Sequence, residues 1–86
     1  MPEFIAEQYF SQTDAAGAHR AGRAARDAAE QLNREGTEVE LVRSLFVPQD
    51  ETCLFIYEAD SLASVRMAAQ RAALAFDRIA EAVSGA

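Results

Sequence analysis

The amino-acid sequence predicts an α+β domain whose elements run β-α-β-β-α-β. Three observations carry that order. Residues 4–10, 39–47 and 52–58 are short stretches dense in aromatic and aliphatic side chains, the composition of strands. Two longer stretches, from Ala15 to about Arg34 and from Leu62 onward, repeat small or apolar residues at steps of three and four, the spacing of one helix face. A last strand is expected over residues 77–83, ahead of a Ser84-Gly85-Ala86 tail.

The elements follow from their residues in order. After strand 1 come Ser11, Gln12, Thr13 and Asp14. Ser11 or Thr13 suits the helix cap, and Asp14 favours the positive helix end. The first helix carries Ala18, Ala21, Gly22, Ala25, Ala28, Ala29 and Leu32 on one face. Such small residues let a helix backbone lie close to a sheet. Gly36 suits the left-handed position that ends it. Arg23, Arg26, Asp27, Glu30 and Arg34 read as a solvated outer face with opposite charges one turn apart. Residues 39–47 and 52–58 make a hairpin around a turn at residues 48–51, opened by Pro48. Asp60 or Ser61 caps the second helix, with its stripe on Leu62, Val65, Ala69, Ala72 and Phe76.

This order is the ferredoxin-like one. Right-handed crossovers then give an antiparallel sheet ordered 4-1-3-2, with both helices on one face. A single domain over residues 1–86 is expected, with a thin core for its size.

Strand 3 sets Leu54 and Ile56 on one face and Cys53, Phe55 and Tyr57 on the other. Both sets are largely apolar, so both faces require cover, and two helices cover one. The second cover is expected to be another copy of the sheet, giving a homodimer of the α+β barrel type. Leu54 and Ile56 are placed under the helices, and Cys53, Phe55 and Tyr57 toward the partner; the reverse orientation stays open. Strand 2 is ambiguous too. Val39, Leu41, Leu45 and Val47 share a parity with Arg43, and Val42 and Phe46 lie opposite. Either a bulge or a tolerated edge arginine is required.

Composition excludes several classes. A net charge of −6 argues against nucleic-acid and anionic-membrane partners. One cysteine and one histidine leave no internal disulfide and no Cys/His zinc cluster. No signal-peptide pattern or membrane-length apolar run is seen, and a cytoplasmic protein is expected. Gly-rich phosphate loops and a Ser-His-Asp set are missing.

The candidate ligand-binding residues are Glu7, Tyr9, Ser44, Cys53 and Tyr57, taken to line a small polar cavity between sheet and partner. Tyr57 on a covered face needs a hydrogen-bond partner, and Glu7 and Ser44 on the flanking strands are the ones at hand. Cys53 reads as a buried hydrophobe, with Arg43 as the one nearby cation able to activate it.

Met1-Pro2, Phe4 and Glu7, then Arg43-Ser44, residues 50–53, Tyr57-Glu58-Ala59-Asp60 and Asp77-Arg78-Ile79 form a set. It resembles a bacterial family of small ferredoxin-like domains of unknown function, some members of which are labelled nickel-binding proteins. The resemblance spans nearly the whole chain and implies a dimeric α+β fold. It also raises a divalent metal such as nickel as a ligand, for which His19 is the candidate donor. The chain departs from the family pattern after helix 2, where a Gly and a Pro are expected and Ala72-Ala73-Leu74-Ala75-Phe76 stands. With no breaker, a longer helix is expected there.

Two functions stay open. One is a small dimeric binding protein, with a divalent metal as one candidate ligand. The other is a small dimeric α+β barrel enzyme, of the oxygenase or isomerase type, acting on a hydrophobic compound. The enzyme reading rests on fold analogy and requires Glu7 as its acid–base group.

Overall fold

The structure is a computed structural model, and it describes residues 1–83 and residue 85; the tail expected at Ser84 and Ala86 lies outside the described residues. The elements are β1 (Glu3–Tyr9), α1 (Ala15–Arg34), β2 (Val39–Val47), a single 3-10 turn (Pro48–Asp50), β3 (Thr52–Ala59), α2 (Leu62–Arg71) and β4 (Arg78–Ala82). The sheet is antiparallel and ordered β2-β3-β1-β4. That is the ferredoxin-like arrangement expected from the sequence.

The helix caps differ in detail from expectation. Asp14 itself caps α1, its Oδ1 accepting from the Gly17 amide at 3.0 Å. Ser61 caps α2, accepting from the Ser64 amide at 3.2 Å. α1 ends at Gly36 as the sequence indicates. α2 is shorter than expected. It stops at Arg71, and Ala73 takes a left-handed φ of 57°. The chain turns there without a glycine because turning brings Leu74 and Phe76 onto the core. Phe76 lies 4.9 Å from Phe55 and 6.2 Å from Tyr57, ring centre to ring centre. Burial of those rings outweighs the roughly 1 kcal/mol that a left-handed alanine costs.

The orientation expected for β3 is reversed. Cys53, Phe55, Tyr57 and Ala59 are buried, in one cluster with Ala18, Ala21, Ala25, Ala29 and Leu32 of α1 and Val65 and Ala68 of α2. Leu54 and Ile56 are half-buried on the opposite, helix-free face. The reason is volume. A helix face of alanine and glycine approaches the sheet closely and contributes little bulk, so the aromatic parity of β3 fills the layer. Ser44 belongs to this side as well: a Cβ built on Gly22 would stand 2.6 Å from its Oγ.

β2 resolves its conflict of parity with a bulge. Leu41 stands opposite Tyr57 and Arg43 opposite Ile56, so Val42 is the extra residue. Val39 and Leu41 therefore face the helices, while Arg43, Leu45 and Val47 face away. Such an insertion re-aims every side chain that follows it.

Candidate functional site: the helix-free sheet face

Residues opposite each other on neighbouring antiparallel strands share a face, so the register maps this surface. One row runs Glu40, Glu58, Glu3 and Ala82 across β2, β3, β1 and β4. The next holds Arg43, Ile56, Ile5 and Ala80. A third holds Leu45, Leu54, Glu7 and Arg78, and Val47, Thr52 and Tyr9 close the face. An apolar centre of Ile5, Ile56, Leu54 and Leu45 thus lies between a row of three glutamates and a mixed far end.

Charges on this face are unevenly partnered. Arg78 Nη1 lies 3.4 Å from Glu7 Oε2. Arg43, Glu3, Glu40 and Glu58 make no ion pair among the described residues. Glu7 and Glu58 do share the face on adjacent strands, but Glu58 stands opposite Glu3 and Glu7 opposite Leu54, so they are not a pair.

At the far end is a depression of about 220 Å³ lined by Glu7, Tyr9, Asp50, Glu51, Asp77 and Arg78 among others. Two of its carboxylates hold the chain together. Asp77 Oδ2 accepts from the Tyr9 amide at 2.7 Å. Glu51 Oε2 accepts from the Gln12 amide at 3.1 Å and from the Tyr9 hydroxyl at 3.4 Å.

The five predicted ligand residues do not converge. Glu7 and Tyr9 meet at this depression. Ser44, Cys53 and Tyr57 lie on the other side of the sheet. Arg43 faces away from Cys53, so it is no activator of the thiol. Burial pushes the Cys53 thiol pKa up, which keeps it protonated and inert. The Tyr57 side chain is fully buried, and its hydroxyl has no hydrogen-bond partner. Burial raises its pKa strongly as well. The partners expected for it are out of place: Glu7 is across the sheet, and Ser44 makes no bond to it.

His19 is exposed on α1. Among the described residues, no three His, Cys, Asp or Glu side chains gather as a metal-holding group. In one chain, then, His19 offers a metal a single imidazole, which does not make a built nickel site. The mixed charges of α1 are all exposed, and none closes an ion pair among the described residues. Arg26 instead donates to the Leu41 carbonyl at 3.4 Å, and Asn33 to that of Val39 at 3.3 Å. These two bonds occupy one wall of a groove of about 440 Å³ between α1 and β2. A second groove, about 430 Å³, lies between α2 and β4 over Met67, Leu74, Phe76 and Ile79.

Glu3, Ile5, Glu40 and Arg43 are the members of the helix-free face that sequence reasoning missed as a group. Their signal was the parity conflict at Val42; once a bulge is placed there, the four fall on one surface.

No helix among the described residues is long and apolar enough to cross a membrane. No protein-family model matches the chain. No curated protein matches its sequence. A solved structure does resemble it: SCO4226 from Streptomyces coelicolor A3(2) superposes with a TM-score of 0.73, over 98% of this chain and 99% of that one, at 19% identity. At that identity the likeness is one of fold, and it agrees with the ferredoxin-like arrangement described above.

Proposed function

We propose that this is a cytoplasmic homodimeric binding protein whose two copies pack their helix-free sheet faces together. The observation that carries the reading is the apolar centre Ile5, Leu54, Ile56 and Leu45, set in the middle of a face that no element of the chain covers. Antiparallel sheets tolerate water on one side when that side is polar; here its middle is not. A chain this small gains the core it lacks by pairing. The ligand space of such a dimer is the Glu7, Tyr9 and Arg78 end of the face, where polar groups meet the interface.

The enzyme reading keeps one supporting observation: Glu7, its required acid–base group, does face this space. A divalent metal such as nickel stays a candidate ligand through His19, and it needs further donors from a second chain.

The test is native mass spectrometry with light scattering on untagged protein, as isolated and with added nickel. A dimer that Ile56→Asp converts to a folded monomer supports the reading. A wild-type monomer overturns it. A stoichiometric nickel adduct lost in His19→Ala supports the metal, and turnover lost in a folded Glu7→Gln variant supports the enzyme.

A further inference from the structure

Resting on that dimer, the geometry points to a specific contact that sets how the two sheets align: Arg43 of one copy seated against the acidic row of the other, with Glu58 of the partner subunit as its centre. Three observations lead there. The bulge at Val42 carries Arg43 onto the helix-free face, next to Ile56 and so beside the apolar centre. Without the extra residue, Arg43 would point toward the helices. A bulge placed this way re-aims one side chain, and the one it delivers to this face is a cation. Secondly, the two cations of the face differ. Arg78 has Glu7 at 3.4 Å, while Arg43 has no carboxylate partner among the described residues.

Thirdly, Glu40, Glu58 and Glu3 stand in one register row across three strands. Like charges directly opposite each other repel, and none of the three has a counterion among the described residues. A face that holds an unpartnered cation and an unpartnered row of anions is complementary to itself. In a twofold interface, each contact of one residue with another occurs twice. Arg43 over the partner subunit's Glu58 therefore brings Glu58 under the partner subunit's Arg43. Arg43 and Glu58 both adjoin Ile56, one across the strands and one along β3. The axis relating them consequently passes beside Ile56, and the apolar centres of the two copies meet. An alignment that laid the acidic rows over each other would bury like charges, and charge matching excludes it.

Charge reversal tests the contact. Dimer dissociation constants are measured by analytical ultracentrifugation for wild type, Arg43→Glu, Glu58→Arg and the double reversal, with circular dichroism confirming that each is folded. The expected result is about tenfold weaker association for each single variant, with the double returning to within roughly threefold of wild type. Added salt should weaken the wild-type dimer. If wild type is a dimer and the double reversal shows no recovery, this contact is overturned and the dimer stands. If wild type is a monomer, the dimer reading falls, and this contact falls with it.

Discussion

Gly36 and Ala73 occupy the same position, one residue past the caps of α1 and α2, and both have positive φ, 102° and 57°. Each turn closes with the same pair of bonds. The Thr37 amide donates to Leu32 at 2.9 Å, and the Leu74 amide to Ala69 at 3.0 Å. Left-handed backbone suits glycine and strains alanine. Ala73→Gly should therefore stabilise the protein by up to about 1 kcal/mol. Urea unfolding would show a higher midpoint with an unchanged slope. A lower midpoint would mean that the Ala73 methyl is held by contacts that outweigh its backbone strain.

The Tyr57 hydroxyl is buried without a partner in the core, beside the Phe76 ring. Such a group retains its desolvation cost and gains no bond in return. Tyr57→Phe should raise stability by about 1 kcal/mol, read from the same unfolding curves. A loss of that size would show that the hydroxyl is satisfied in solution.

Cys53 is 1% exposed, and its thiol pKa is raised by burial. Native protein should react with iodoacetamide roughly a hundredfold more slowly than unfolded protein, since labelling waits on opening of the core. Rapid stoichiometric labelling without unfolding would place Cys53 somewhere other than under the helices.

Arg71 grips Glu35 with two bonds, Nη1 to Oε2 at 2.9 Å and Nη2 to Oε1 at 3.0 Å, joining the C-terminal ends of the helices. The hydrogen bond from Arg71 holds the Glu35 carboxyl below its ordinary value of 4.5. A carboxyl with a lowered folded pKa contributes stability above its unfolded value, and loses it as pH falls through the folded one. Glu35→Gln should therefore be less stable than wild type at neutral pH, with the gap closing as pH drops below 4.5. The pair is fully exposed, so added salt should narrow the gap as well.

The strands and helices of this chain are legible in its sequence because their periods are clean. The alanine and glycine stripe of α1 matches the buried residues one for one from Ala18 to Leu32. The face of β3 is not legible from alternation alone, since Leu54 and Ile56 are as apolar as Phe55. The clue is on another element: a helix face without bulk needs the larger side chains beneath it. The end of α2 escapes for a related reason. Alanine favours helix continuation locally, and the pull that ends α2 comes from Phe76, through contacts distant in sequence. The proposed ligand residues scatter because Ser44, Cys53 and Tyr57 were placed on the face of Glu7 by the same inverted parity.

The bulge at Val42 makes chain length between Leu41 and Ser44 a fixed quantity. Removing that one residue would transpose the rest of β2, sending Arg43 and Leu45 inward and Ser44 and Phe46 out. A deletion there is thus a more drastic change than most substitutions, although Val42 itself is exposed and replaceable. The turn at Pro48–Asp50 is the opposite case, with no buried residue and room for insertions. Homologous chains should accordingly vary in length at the tip of this hairpin and keep their residue count along its first strand.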